Sequence, residues 1–397
     1  MKILKISFIF IFILFNTILI NSDDNLTLFR TLYYKANSLT ERQEILEQMD
    51  KVITDEFKNF IMEIVVDQSN YNYNILQTKD YENWVLTTAK IVTKLKIAEA
   101  APFLEKIYNK CKTSITKGQL LVTIAQTGDR NYVKWFNNLL YDINNLHRAN
   151  KFIKQEEIVQ GIVIGLGLFA DESSFEILLY DAMPYFSDNT QALAKESLEK
   201  ITDNPAKLCT NIIINNPDYE TKLDALIYAL ESNSPEEDKI EMCKSTLKKM
   251  NGVIIENKFK EKLKALLNKS VYYLGEKRVK EKEVVDMIEE KWNNENEFYS
   301  ILTNIEALEK IATEDAANVL IRKLTYWNQR KKEGSKDGYL VDQGPKAIIA
   351  LIKALGIIKY NGSLEVLYDT IWTDGYGEPI KKEALNSIDL IMNKIKK

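Results

Sequence analysis

Apolar residues recur along most of this chain at spacings of three and four, the period of a helix with one buried face. Near the start, Ile45, Leu46 and Met49 fall on one side of such a period, and Thr40-Glu41-Arg42-Gln43 predicts a capping box that opens the helix. Ser234-Pro235-Glu236-Glu237 predicts a second helix start, with Ser at the cap, Pro at the first position and Glu at the third. Asn204-Pro205 and Asn216-Pro217 punctuate the middle, because the residue before a proline is pushed out of helical geometry. Strand signals are almost absent, and the short run Asn211–Ile214 reads as a helix end. With 14 Gly and 7 Pro in 397 residues, turns are too scarce for a β-rich chain. The pattern predicts an all-α fold beyond residue 23.

The helices repeat. Leu166–Leu178 lies without a gap on Leu355–Leu367, at an offset of 189 residues. Leu166/Leu355, Gly167/Gly356, Ser174/Ser363, Glu176/Glu365 and Leu178/Leu367 are identical, and most other pairs exchange one apolar residue for another. The same scheme of apolar helix, acid- or Asn-marked turn and second apolar helix recurs around Ile97–Leu104, Thr127–Phe136 and Ile311–Leu320. The turn markers Glu99, Asp129, Asp171, Glu314 and Asn361 are 30, 42, 143 and 47 residues apart, and the longest interval leaves room for further pairs. Two helices per 30–47 residues is the signature of an α-solenoid. On these residues the chain resembles the HEAT-repeat family, its short bacterial HEAT-like variants in particular, and the fold class expected is a HEAT/armadillo-like α-solenoid. The resemblance implies a superhelix of antiparallel helix pairs over residues 79–397, with residues 23–78 as an N-terminal helical cap. It also implies protein binding through a concave face, or, as in a minority of HEAT-like proteins, a lyase-like enzyme.

The N-terminal residues read as targeting. Lys2 and Lys5 precede Ile6–Ile20, an apolar run of roughly 22 Å as a helix, short of the ~30 Å hydrocarbon core. A basic start, a short apolar run and the polar Asn21-Ser22-Asp23-Asp24 are the ingredients of a secretory signal peptide, residues 1–22, although Ile20 is bulky for the position it takes before the cut. The alternative is an uncleaved segment that anchors the chain to a membrane. The Ile-, Asn- and Lys-rich usage and the export pattern predict a bacterial periplasmic or secreted protein.

Charge and composition remove several function classes. Lys and Arg number 53 against 57 Asp and Glu, so the net charge of −4 argues against a nucleic-acid partner. One His and three Cys leave little material for a zinc site, and no cofactor is expected. Cys111, Cys209 and Cys243 are odd in number and read as unpaired thiols. His147 reads as a surface loop residue, and without GxSxG or a second His it supports no triad. Gly161-Ile162-Val163-Ile164-Gly165 reads as a place where one helix approaches its neighbour closely. The basic stretch Lys258–Lys282 reads as the solvated face of a repeat.

The most suggestive cluster is C-terminal. Tyr326-Trp327 is followed by Asp337-Gly338-Tyr339, and Ile371-Trp372 by Asp374-Gly375-Tyr376, which predicts two related loops on one edge of the array. Trp327, Tyr339, Trp372 and Tyr376, with Arg330 on the rim, are therefore the expected protein-binding residues. The expectation as a whole is an exported, non-catalytic scaffold whose partner is another protein, touching a membrane only if the N-terminal segment stays uncleaved. The alternatives are a HEAT-like enzyme or enzyme accessory, and a small-molecule or glycan binder using the C-terminal aromatic loops.

Overall fold

One apolar face per helix and scarce turn residues leave packing of helix on helix as the way to bury a core, and that is the architecture found. The computed structural model of the chain is an all-α solenoid of antiparallel helix pairs, describing residues 22–149, 155–294, 297–334 and 344–395. The described residues form twenty α-helices and no strand. Of the residues expected as a signal peptide, 1–21 lie outside this range, and Ser22 opens the first helix.

The helices divide into two compact units, Met1–Thr202 and Asp203–Lys397. The first holds α1 (Ser22–Lys35), α2 (Leu39–Met49), α3 (Lys58–Asn70), α4 (Thr78–Leu95), α5 (Ala101–Lys110), α6 (Ser114–Gln126), α7 (Val133–Arg148), α8 (Glu156–Phe169), α9 (Phe175–Ala182) and α10 (Asp188–Ile201). Within it α2, α4, α6, α8 and α10 pack each on the next as one layer, while α3 meets α5 and α7 meets α9 in the other. The second unit holds α11 (Pro205–Asn215), α12 (Tyr219–Glu231), α13 (Glu236–Met250), α14 (Lys260–Glu276), α15 (Lys282–Asn293), α16 (Phe298–Ile311), α17 (Glu314–Lys332), α18 (Gly344–Ile358), α19 (Leu364–Trp372) and α20 (Glu378–Ile395). It repeats the plan, with even-numbered helices stacked in one layer and odd-numbered in the other.

Helix starts and ends show why the chain folds this way. The cap lies two residues earlier than the sequence predicts and is not a capping box: Ser38 Oγ accepts from Glu41 N at 3.1 Å, while Glu41 Oε2 accepts from Asn37 N, the residue before the cap, at 2.7 Å. Thr40 is inside the helix. Ser234 likewise does not cap α13; its Oγ accepts from Ala206 N at the start of α11 instead. Cross-helix carboxylates fix the stacking in the first unit. Glu82 on α4 accepts from Lys112 N (2.6 Å), Thr113 N (3.1 Å), Thr113 Oγ1 (2.6 Å) and Thr116 Oγ1 (3.0 Å), all at the N-terminus of α6. Burial pulls this carboxyl up, but those hydrogen bonds outweigh it and hold it below its ordinary range. Glu156 on α8 does the same for Ser187 and Thr190 at the start of α10. Five even-numbered helices, α4, α8, α14, α16 and α18, end at a non-glycine residue in left-handed conformation: Lys96, Ala170, Arg278, Ala312 and Lys359, with φ of 49–57°.

The internal likeness seen in the sequence extends over three helices. Gly167 faces Ser197, whose hydroxyl donates to Val163 O at 2.9 Å; Gly356 faces Ser387, which donates to Ile352 O at 3.0 Å. Leu178 and Leu367 are completely buried, and Ala170 and Lys359 share the left-handed conformation. The modules α8–α10 and α18–α20 are two copies of one design. All three cysteines are free and buried, and burial pushes the thiols of Cys111 and Cys243 up to about 12, so they act as apolar filler. Among the described residues no helix is long and apolar enough to cross a membrane.

Candidate functional site

A groove crosses the outward faces of α4, α6 and α8 and encloses about 620 Å³, within the size range of small-molecule sites. The residues that line it fall at one helical stripe on each helix: 86, 89, 90 and 93; 115, 118, 119, 122, 123 and 126; 157, 160, 161 and 164. Leu86, Ala89, Gly118, Val122, Gly161 and Ile164 make an apolar floor. That floor exists because α6 and α8 touch backbone to backbone. A methyl on Gly161 would overlap Gly118 O and Cα, and one on Gly118 would overlap Glu157 O. Gly161, as expected from the sequence, admits the neighbouring helix, whereas Gly165 accommodates the Phe136 ring from α7.

The rim is polar and largely fixed. Gln126 Oε1 accepts from Thr93 Oγ1 at 2.8 Å, and Gln160 Nε2 donates to Thr190 Oγ1 at 3.2 Å. The Gln119 amide has no hydrogen-bond partner among the described residues. Lys90 pairs with Asp50 Oδ2 at 2.7 Å, and that hydrogen bond raises its ammonium above the ordinary range. Glu157 is lowered by a backbone N–H and by Ser114 Oγ, which donates at 2.8 Å. Both are therefore charged at neutral pH, one cation and one anion on opposite flanks. An apolar floor with amides, hydroxyls and two fixed charges can bind and orient a small ligand that has an apolar body and hydrogen-bonding edges.

Of the C-terminal residues singled out in the sequence, Trp327 and Tyr376 are buried and Trp372 is exposed. Helix α17 runs on to Lys332, so Trp327 lies within a helix; it is 6% exposed and packs edge-on to Trp292, with centroids 6.1 Å apart. Tyr376 is 8% exposed and its hydroxyl has no partner among the described residues. The expectation of exposed anchors is corrected for both, because burying each ring removes its large apolar area from water. Trp372 ends α19 and is 79% exposed. Arg330 is half-buried near Glu333, Nη1 to Oε2 4.0 Å. Tyr339 lies outside the described residues.

His147 is also placed differently: it sits in the last turn of α7, stacked on Phe186 and bonded through Nδ1 to the Tyr180 hydroxyl at 2.9 Å. No group of three or more His, Cys, Asp or Glu that could hold a metal is found among the described residues.

No protein-family model matches the chain, and no curated protein matches it. Among solved structures it is similar to human deoxyhypusine hydroxylase in complex with glycerol, at 11% identity and a TM-score of 0.25, over 87% of this chain and 99% of that one. The expectation of a non-catalytic protein-binding scaffold does not stand on the helical fold alone and is corrected: the fold does not exclude catalysis. Paired-helix architecture does not mark a chain as non-enzymatic, since function resides in sites placed on a fold. Neither substrate nor activity passes from that protein to this chain.

Proposed function

We propose that this HEAT-like protein is an enzyme or enzyme accessory that holds a small ligand in the α4–α6–α8 groove. The observation that supports the reading is the groove itself: about 620 Å³, floored by apolar side chains and two glycines, and rimmed by amides and a fixed cation and anion. The ligand class that fits is a compact organic molecule with an apolar face and neutral hydrogen-bonding groups at its edge, met by Gln119 and Thr123. The proposal includes export, with residues 1–22 as a signal peptide; mass spectrometry of protein from the envelope fraction should then find an N-terminus near Asp23.

The test of the groove is a fragment screen by NMR on the full exported chain, using small aromatic and aliphatic amides, alcohols and acids. Fragments that bind should perturb Ala89, Val122 and Ile164 together, and Val122→Trp, which fills the groove from a half-exposed position, should weaken them at least tenfold. Fragments that bind equally well to the variant would overturn the assignment.

A further inference from the structure

In the second unit, Asn328 on α17 reaches across to α19 and closes a buried polar niche. Its Nδ2 donates to Thr370 Oγ1 at 2.9 Å, to Asp369 Oδ2 at 3.1 Å and to Val366 O at 3.4 Å. The Thr370 hydroxyl has two acceptors in turn, Val366 O, one turn back, at 2.8 Å and Asn328 Oδ1 at 3.3 Å. A hydroxyl is both donor and acceptor, so Thr370 accepts from the Asn328 amide and has one hydrogen to share between these two oxygens.

The same niche exists in the first unit, with Tyr180 and Asp181 at the positions of Asp369 and Thr370. Asn144 on α7 donates to Asp181 Oδ2 at 2.9 Å and to Ile177 O at 3.4 Å, and Ile177 stands where Val366 does. Where the second unit has Thr370, the first has Asp181, which is completely buried. Asp181 Oδ1 and Asn144 Oδ1 are both buried with no hydrogen-bond partner among the described residues. The donor inventory is short by at least one hydrogen. An ionised carboxylate only accepts, whereas a carboxylic acid has one O–H to give.

We infer that Asp181 is a proton-binding site: the folded chain holds it as the carboxylic acid, which takes the part Thr370 plays in the other unit, and release of the proton loosens α9 from α7. By analogy with the Thr370 hydroxyl, the acid would give its one O–H to Ile177 O or to Asn144 Oδ1, and the Asp181 oxygen that is otherwise orphaned then finds use. The surrounding charges agree. The elements packed on α9 carry Lys134, Tyr141, Asp142, His147 and Arg148 on α7, Asp188, Lys195, Glu196, Glu199 and Lys200 on α10, and Asp171 and Glu172 in the preceding turn; α9 itself carries Glu176 and Tyr180. Of these, Arg148 is the one whose charge acts on Asp181, pulling its carboxyl down together with the Asn144 and backbone hydrogen bonds. Desolvation is the larger effect and raises it to about 7. The folded state therefore binds a proton that an unfolded aspartate gives up near pH 4. The stabilisation is complete below that value, falls as the pH rises towards 7 and is gone above it.

The experiment is a titration of the full chain followed by carbon-13 NMR of the aspartate carboxyls, with Asp181→Asn to assign the resonance. The Asp181 signal should move with a midpoint near pH 7. Amide exchange of residues 177–182, corrected for the intrinsic rate, should be about tenfold less protected at pH 8 than at pH 6 in the wild type. Asp181→Thr should remove that change, while His147→Gln should keep it. A carboxyl that titrates below pH 5, or the same loss of protection in Asp181→Thr, would overturn the inference. The titration of the wild-type carboxyl decides the matter even if neither variant folds.

Discussion

The modules α8–α10 and α18–α20 share their fold to the level of individual hydrogen bonds, yet they differ in what they place in the buried niche. The second puts its acid one residue earlier, at Asp369, where the carboxylate is part-exposed and pairs with Lys332, and gives the buried position to Thr370. The first has Tyr180 and Asp181 at those positions, so the acid is inside and Arg148 stacks over the Tyr180 ring at 4.4 Å. Since the threonine hydroxyl supplies both the acceptor and the hydrogen at that position, the fold does not require an acid there. The modules differ also in close approach: α8 carries Gly161 and Gly165 where α18 carries Ala350 and Ala354, which lets α8 press onto α6 and shape the groove. The two features that point to function therefore both belong to the first unit, and its twin shows the design without them.

The sharpest way to break the comparison is to move the acid. Thr370→Asp should bury a carboxylate without a matching cation and cost roughly 3–5 kcal/mol at pH 8, with a smaller loss at pH 5, read from urea midpoints across that range. Next in size, Leu178→Ala and Leu367→Ala should each cost about 2–5 kcal/mol, because both side chains are fully buried at equivalent positions. Unequal losses, with one under half a kcal/mol, would show that the modules are not packed alike. Gly167→Ala and Gly356→Ala should cost about 1–3 kcal/mol each through collision with Ser197 and Ser387, and the paired Ser→Gly change should recover part of the loss. Smallest of all, Lys332→Ala removes a part-exposed ion pair and should shift stability by no more than about 0.5 kcal/mol.

Much of this was legible from the residues. The ungapped match of Leu166–Leu178 on Leu355–Leu367 marks the twin modules, and the helical period marks the layers. The groove was harder to see, since its stripes come from α4, α6 and α8 and meet only through packing. One signal was present: Ile158–Ala170 is apolar nearly all round, which is more than one buried face requires. Asn144 and Asp181 are 37 residues apart and unremarkable as letters. Their significance depends on which oxygens are left without a donor, a property of coordinates. The C-terminal aromatics misled because the helix α17 continues past Trp327, and the length of a helix end is the least determined quantity in a sequence.

The left-handed residues that close α4, α8, α14, α16 and α18 bear on how this chain can change over time. Each of Lys96, Ala170, Arg278, Ala312 and Lys359 occupies a conformation that glycine adopts with less strain. Glycine at any one of them should add about 0.5–1 kcal/mol without touching groove or niche. The protein thus sits five single substitutions away from a sturdier version of itself. A lineage or a laboratory selection could take those steps first and then tolerate riskier changes on the groove floor.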